Sequence, residues 1–181
     1  GRCYWLKVYE VPEGTRNSRG KPIVNLFPLI EGEKITAVLP IKEFDEEHFV
    51  FMATSEGTVK KTALTAFSNP RKAGIIAVAL DEGDYLIGAE ITSGTQDIVL
   101  VSDAGKAVWF DEEDVRPMGR TARGVRGMKL GEGQQVLSLL VAANHQETVL
   151  IATENGYGKR TVLADFRHSG RGTQGVIAIA A

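Results

Sequence analysis

Residues 50–62, which read VFMATSEGTVKKT, decide the fold. An apolar run at 50–54 is followed by Ser55-Glu56-Gly57 and by a second run rich in Thr and Val. Runs of this length, bounded by Gly, Ser or Asp, are typical of strands, whereas helices in folded proteins usually extend over ten or more residues. The stretch therefore predicts two strands joined by a tight turn.

This hairpin pattern recurs about every fifty residues. Apolar runs at 98–102 and 149–153 are also followed by turns, and the closing glycines of the three turns keep phase with a second series of glycines. A looser copy covers 19–26, so the chain contains parts of four units. The two series are Gly57, Gly105 and Gly156, and Gly74, Gly124 and Gly175.

Each unit accommodates about four strands, which in the second unit we place at 50–54, 58–64, 74–80 and 85–92. Evenly spaced short strands in repeats of this length are typical of propeller-like arrays, in which each blade packs on its neighbours. We predict an all-β fold with four-stranded blades. Residues 1–181 are expected to form a single domain of about four blades, incomplete at both ends and part of a larger disc.

Composition excludes several classes of protein. The chain is 43% hydrophobic and 24% charged, which is ordinary for a folded domain, and it has no apolar run long enough to span a membrane. The single cysteine, Cys3, has no partner for a disulfide within the chain. We expect a cytoplasmic protein without a membrane partner.

Basic and acidic residues are segregated along the chain, although 21 Lys and Arg nearly balance 23 Asp and Glu. Four windows at matching phase, 14–29, 57–80, 115–130 and 156–180, contain one acid, Asp165. If matching phases occupy matching places on successive blades, the cations line one rim and the acids the other. The basic residues in these windows are Arg16, Arg19, Lys21, Lys60, Lys61, Arg71, Lys72, Arg116, Arg120, Arg123, Arg126, Lys129, Lys159, Arg160, Arg167 and Arg171.

A solvated strand face would also carry Lys and Arg. That interpretation does not explain the depletion of acids, nor why Lys60-Lys61-Thr62 and Lys159-Arg160-Thr161 stand at the same offset from their turn glycines. A phosphate backbone favours such a basic track, because neutralised phosphates release counterions. Nucleic acid is therefore the leading predicted partner, and a track that contacts phosphates is expected to tolerate most sequences.

Motifs for other chemistry are weak. Residues 170–175 match G-x-G-x-x-G, but a strand-like run follows instead of a helix, so we predict no dinucleotide site. His48, His145 and His168 lie far apart in the sequence without metal-ligand spacing, so we expect no metal and no cofactor. The acidic runs at 45–47 and 111–114 are expected to be solvated loops rather than catalytic carboxylates. Trp5 is assigned to the core, and Trp109 is left either in the core or as a stacking platform.

Several segments together resemble one family. They are 1–9 (GRCYWLKVY), 18–26 (SRGKPIVNL), 51–54 (FMAT), 57–62 (GTVKKT), 124–127 (GVRG) and 155–161 (NGYGKRT), and they closely resemble the C-terminal domain of the bacterial DNA gyrase A protein. The likeness runs over the whole chain. It implies a β-pinwheel, a propeller-like disc of about six blades that binds duplex DNA around its outer edge and bends it.

The resemblance also implies a role and partners. The domain would be non-catalytic and would wrap DNA for ATP-dependent negative supercoiling, together with the N-terminal domain of gyrase A and with gyrase B, in an assembly of two copies of each. No small-molecule substrate is implied, and the location would be the bacterial cytoplasm at the nucleoid. The family's basic, glycine-rich heptapeptide is absent from this chain, and Val108-Trp109-Phe110 replaces the basic pair in the middle blade.

Three alternatives remain at this stage. The first is the equivalent domain of topoisomerase IV, and the second is a propeller scaffold that binds a protein or an acidic peptide. The third is a propeller hydrolase that uses the acidic runs, since paired carboxylates can act as acid and base.

Overall fold

A computed structural model describes residues 1–180 and contains only short strands and single 3₁₀ turns. The 3₁₀ turns cover Val8–Glu10, Ile23–Asn25, Leu64–Phe67, Glu112–Asp114 and Leu163–Asp165. The all-β prediction is confirmed. The strands are β1 (Arg2–Cys3), β2 (Phe49–Thr54), β3 (Thr58–Ala63), β4 (Ile75–Ile76), β5 (Leu86–Thr92), β6 (Asp97–Ser102), β7 (Lys106–Asp111), β8 (Val125–Arg126), β9 (Val136–Ala142), β10 (Thr148–Ala152), β11 (Gly158–Val162) and β12 (Val176–Ile177).

The strands form four antiparallel sheets, here called blades 1 to 4 in chain order. Blade 2 has the order β5–β2–β3–β8, and blade 3 has the order β9–β6–β7–β12. Blade 1 is the pair β1–β4, and blade 4 is the pair β10–β11. Because β5 of blade 2 lies against β9 of blade 3, the inner edges of these two sheets converge. Strands β8 and β12 therefore form the opposite, outer edges.

The outer strands of blades 1, 2 and 3 come from the following repeat. Strand β8 pairs with β3, β12 pairs with β7, and β4 pairs with β1. We expected the run 74–80 to belong to the same sheet as 50–64, and that prediction is wrong. Only Ile75–Ile76 forms a strand, and it completes blade 1 instead. Successive blades are thus joined by exchanged strands as well as by side-chain packing.

The second glycine series marks the point where each exchanged strand meets its host blade. Gly124 has a φ of 102° and Gly175 a φ of 78°, both in the left-handed region that favours glycine. A Cβ at Gly124 would collide with the carbonyl oxygen of Val59, and one at Gly175 with that of Ala107. The repeat spacing of these glycines therefore reflects a close backbone approach between neighbouring blades.

Both faces of the central blades are buried, which explains why apolar residues run without alternation in β2 and β6. One face of blade 2 packs on blade 3, where the rings of Phe51 and Phe110 lie 6.4 Å apart between centroids. The other face, with Met52, packs on Trp5 and its neighbours. Blade 3 packs on blade 4 in the same way through Trp109 and Leu163.

Within residues 1–180, no helix combines the length and the apolar character that crossing a membrane requires.

Candidate nucleic-acid interface

Three segments line the outer edges of blades 1, 2 and 3, and we call them the edge segments: residues 68–76, 115–126 and 166–177. Each begins just after a 3₁₀ turn and ends in an exchanged strand, which pairs with β1, β3 or β7 of the preceding blade. The Met118 N–H donates to the carbonyl oxygen of Lys61 (2.8 Å), and the Gly170 N–H donates to that of Trp109 (3.2 Å). On blade 1, Arg2 Nη1 donates to the carbonyl oxygen of Ala73 (3.2 Å).

The edge segments are basic and contain no Asp or Glu. Their backbones occupy equivalent positions on three successive blades, so their side chains project from equivalent places on the outer edge. Lys129 is exposed just beyond the second segment. The exposed basic residues within the segments are Arg71, Lys72, Arg116, Arg123, Arg126, Arg167 and Arg171.

Two arginines at the same repeat position connect adjacent edge segments. Arg120 Nη1 donates to the carbonyl oxygen of Ile76 (3.0 Å), and Arg171 Nη1 donates to the carbonyl oxygen of Arg126 (2.8 Å). Arg120 is half-buried, whereas Arg171 is exposed. Each arginine precedes its repeat glycine by four residues, and each acceptor follows the preceding repeat glycine by two. These contacts hold neighbouring segments in a common register, so the edge is continuous rather than a set of independent loops.

One carboxylate lies against this surface. Arg123 Nη1 is 2.9 Å from Asp81 Oδ1, and both side chains are largely exposed. The expectation that the acids keep to the other rim is therefore wrong at Asp81. Because an exposed ion pair contributes little to stability, Arg123 can exchange this partner for a phosphate at small cost.

Lys60 is buried, contrary to the expectation that it lies on an exposed basic track. It is 1% exposed, and its Nζ donates to the carbonyl oxygens of Ala77 (2.7 Å) and Arg120. Burial, with a smaller contribution from the charge of Arg120, lowers the pKa of Lys60 to about 8. Its side chain contacts the protein interior and has no access to a ligand.

Lys61 is buried on the opposite face of the same strand. It is 4% exposed, its Nζ donates to the carbonyl oxygen of Glu112 (3.0 Å), and it stands 5.0 Å from the centre of the Phe49 ring. Burial lowers the pKa of Lys61, while the Glu112 carboxylate acts in the opposite direction. The offset that Lys60-Lys61 shares with Lys159-Arg160 therefore marks equivalent positions in two repeats. In blade 2 the side chains at these positions are buried.

Glu112 corrects the expectation that residues 111–114 form a solvated loop. Its side chain is fully buried, and its carboxylate accepts hydrogen bonds from Thr92 Oγ1 (2.6 Å) and from the N–H groups of Gly94 (2.8 Å) and Gln96 (2.9 Å). A carboxylate held by three donors serves to fix the loop at 93–96. This geometry does not favour the hydrolase alternative.

Trp109, left open from the sequence, lies in the core between blades 3 and 4. It is 7% exposed, and its Nε1 donates to Asp97 Oδ1 (2.9 Å), so it is not available to stack on a base. Trp5 packs against the apolar cluster of blade 2, as expected.

The remaining predicted cations lie outside the edge segments. Lys159 and Arg160 are exposed on β11, and Arg16, Arg19 and Lys21 are exposed in the irregular stretch that precedes blade 2.

Comparisons with known proteins identify the family and the fold of the chain. A family model described as "DNA gyrase C-terminal domain, beta-propeller" matches residues 1–42, 48–93, 96–143 and 147–181. The chain belongs to this family. The resemblance inferred from the sequence is thereby confirmed, and so is the propeller-like fold class. The four matched stretches follow the four repeats of the chain.

Individual relatives of this gyrase C-terminal domain support the assignment. The DNA gyrase A protein of Salmonella typhimurium strain LT2 is 56% identical over 179 residues, which is 99% of this chain and 20% of the relative. The chain thus spans about a fifth of the length of that relative. A solved structure titled "Structure of DNA gyrase A C-terminal domain" superposes with a TM-score of 0.81 at 29% identity, covering 97% of this chain and 56% of the other.

The topoisomerase IV alternative shares this fold. The crystal structure of the C-terminal domain of DNA topoisomerase IV superposes with a TM-score of 0.82 at 31% identity, covering 87% of this chain and 49% of the other. Relatives that are more than half identical include the DNA gyrase A proteins of Salmonella typhimurium and Escherichia coli, and the family model that matches the chain is that of the gyrase domain.

Proposed function

We propose that this chain binds duplex DNA along its outer edge and bends it, as the non-catalytic DNA-wrapping domain of a DNA gyrase A protein. One observation carries the proposal: exposed arginines and lysines lie on acid-free edge segments at equivalent places on three successive blades. Phosphates repeat along DNA, and a repeated row of cations complements them without reading bases. Binding is therefore expected to tolerate most sequences.

The exposed set defines the proposed contacts. Lys60 and Lys61 are removed from the predicted DNA contacts, because both are buried and their Nζ atoms donate to backbone carbonyl oxygens. Arg120 is also removed, because it is half-buried and bonded to the carbonyl oxygen of Ile76, whereas Arg171 makes the equivalent bond but remains exposed. The contacts on the edge segments are Arg71, Lys72, Arg116, Arg123, Arg126, Arg167 and Arg171, with Lys129, Lys159, Arg160, Arg16, Arg19 and Lys21 at their flanks.

Bending requires contacts on more than one blade. Turning about 40 base pairs through a half circle costs roughly 11 kcal/mol for a persistence length of about 150 base pairs. A hydrogen bond to a charged group contributes about 1.5–3 kcal/mol. The three exposed arginines of the blade 2 segment thus fall short alone, and the contacts of adjacent blades must combine. The hydrogen bonds that Arg120 and Arg171 donate to neighbouring edge segments keep those blades in register.

The role in the complete enzyme follows from the family. The wrapped DNA would be presented to a cleavage gate in the N-terminal part of gyrase A, with gyrase B supplying ATP hydrolysis, in the bacterial cytoplasm. This chain would contribute binding energy and curvature and would need no cofactor for them. Residues 1–181 would act as one domain, because exchanged strands join its blades.

A ligation assay tests wrapping directly. Nicked circular DNA is sealed by ligase with and without the chain, and the superhelical state is read after the protein is removed. Wrapping predicts a shift in linking number of one sign that grows with the ratio of protein to DNA. A chain that shifts short duplex in a gel but leaves the linking number unchanged would bind without wrapping. Failure to bind duplex at low salt would reject the DNA-binding proposal itself.

A further inference from the structure

Two carboxylates face each other at one end of blade 3. Asp97 opens β6, Asp111 closes β7, and the two residues are partners in the strand register. Asp97 is 6% exposed, whereas Asp111 is exposed at the surface. Within residues 1–180, the salt-bridge distances to these two carboxylates come from histidine side chains and not from Lys or Arg.

His168 completes a three-residue cluster with these carboxylates. Its Nε2 lies 3.7 Å from Asp111 Oδ2, and one ligand atom each from Asp97, Asp111 and His168 lie within 4.8 Å of one another. Oxygen and nitrogen ligands bind Zn²⁺ at about 2.0–2.2 Å, so atoms around a tetrahedral ion stand about 3.4 Å apart. The three ligand atoms therefore need to approach one another by at most about 1.4 Å per pair to surround an ion.

Asp97 is already oriented by neighbours outside that cluster. Trp109 Nε1 donates to Asp97 Oδ1 (2.9 Å), and His145 Nε2 lies 2.9 Å from Asp97 Oδ2. The rings of His145 and His168 both stand edge-on to Trp109, each with centroids 4.9 Å away. Carboxylates that bind metals are commonly held in this way by hydrogen bonds from surrounding groups. His145 and His168 are thus brought together by the fold, although they lack metal-ligand spacing in the sequence.

His48 shows what an ordinary histidine–carboxylate pair looks like in the same chain. Its Nδ1 contacts both oxygens of Asp45, three residues earlier, at 2.8 Å. The same carboxylate accepts the N–H groups of Glu47 and His48 at 2.9 Å, so it stabilises a local turn. The cluster on blade 3 differs, because it joins two strands with a segment about sixty residues away in the sequence.

We propose that Asp97, Asp111 and His168 bind one divalent transition-metal ion of the zinc class, with water as the remaining ligand. This replaces the expectation that the chain has no metal site. Since His168 lies in the third edge segment, the ion would join that segment to the ends of β6 and β7 in blade 3. The inference does not depend on DNA binding, and either can fail without the other.

Calorimetric titration of Zn²⁺ into metal-free chain near neutral pH tests the site. The expected result is one ion per chain, lost in His168→Asn and in Asp111→Asn. His145→Asn, which removes a supporting hydrogen bond, should weaken binding by about tenfold or more. The matched control is His48→Asn, which removes a histidine of equal chemistry from a one-carboxylate pair and should leave binding unchanged.

Cobalt provides a second readout that reports position. On a Trp5→Phe background Trp109 is the remaining tryptophan, and bound Co²⁺ should quench its fluorescence with the same stoichiometry. Far-ultraviolet circular dichroism of the metal-free variants checks that they fold. If Asp111→Asn does not fold, the loss of metal binding is tested with His168→Asn alone. The proposal is overturned if the parent chain binds no better than His168→Asn, or if His48→Asn loses binding to the same extent.

Discussion

The Lys61 Nζ of blade 2 lies 3.9 Å from the Glu112 Oε2 of blade 3, and both side chains are buried. The same Nζ donates to the Glu112 carbonyl oxygen, so one lysine holds the neighbouring blade by charge and by a backbone contact. Leucines stand at the position of Glu112 in the other two repeats, Leu64 in blade 2 and Leu163 in blade 4. The junction between blades 2 and 3 is thus polar where the equivalent positions are apolar.

Removing one partner of this pair should cost more than removing both. Glu112→Leu leaves Lys61 as a buried, unpaired cation, a change that typically destabilises by about 3–5 kcal/mol. The double variant Lys61→Met, Glu112→Leu removes the unpaired charge and should recover that part of the loss, whereas the donors of Thr92, Gly94 and Gln96 lack their acceptor in both variants. Urea denaturation of the parent, both single variants and the double variant measures the coupling. Additive losses in the double variant would contradict a direct interaction.

Lys60 should make stability depend on pH in the alkaline range. Its pKa is lowered to about 8 in the folded chain, against about 10.4 in the unfolded chain. Between these values the unfolded state binds more protons, so the free energy of unfolding rises with pH, by at most about 3 kcal/mol. Below pH 8 both states are protonated, and the full penalty of burying the charge remains.

The test of Lys60 compares the parent chain with Lys60→Met in urea at pH 8 and pH 10. The difference in unfolding free energy between the two proteins should shift in favour of the parent as the pH rises. Other titrating groups are common to both proteins and cancel. A difference that stays constant over this range would show that Lys60 keeps an ordinary pKa.

Glycine at the strand exchange is expected to be essential, unlike glycine at an open turn. Gly133→Ala, at a φ of 71° with no atom within 4 Å of the added Cβ, should cost about 1–2 kcal/mol for its left-handed backbone. Gly124→Ala also places alanine at a positive φ, and its Cβ would in addition collide with the Val59 carbonyl oxygen. Relieving that collision requires β8 to move away from β3. We expect a loss above about 3 kcal/mol in thermal or urea unfolding. Equal losses at both glycines would contradict the close approach.

The repeat and the strand pattern could be predicted from sequence because each depends on residues close together in the chain. Turn glycines and apolar runs at 50–54 and 98–102 identify hairpins without knowledge of their neighbours. The exchange of β8 could not be predicted in the same way. The sheet that a two-residue strand joins depends on where the preceding blade lies. Gly124 indicates a close backbone approach, but the sequence does not show that Val59 is the residue approached.

The basic surface was predicted in part. Cations in the loops before Gly124 and Gly175 are exposed or bonded at the edge, since a loop along an outer strand has solvent on one side. Lys60 and Lys61 were wrongly predicted to be exposed. Adjacent strand residues point to opposite faces of a sheet, and in blade 2 both faces are packed against neighbouring blades. Val108 and Trp109, at the equivalent positions of blade 3, are buried in the same way. Their apolar character was the available signal that this position is internal.

The salt dependence of duplex binding tests the proposed edge most directly. The triple variant Arg71→Gln, Lys72→Gln, Arg116→Gln removes three exposed charges from two edge segments. The control Lys7→Gln, Lys34→Gln, Lys42→Gln removes three exposed charges from elsewhere, so the net charge is the same. The logarithm of the binding constant is plotted against the logarithm of salt concentration. The account predicts that the edge variant flattens this slope by about 2.7, or 0.9 per lost contact, while the control keeps the parent slope. Equal slopes in the two variants would contradict it.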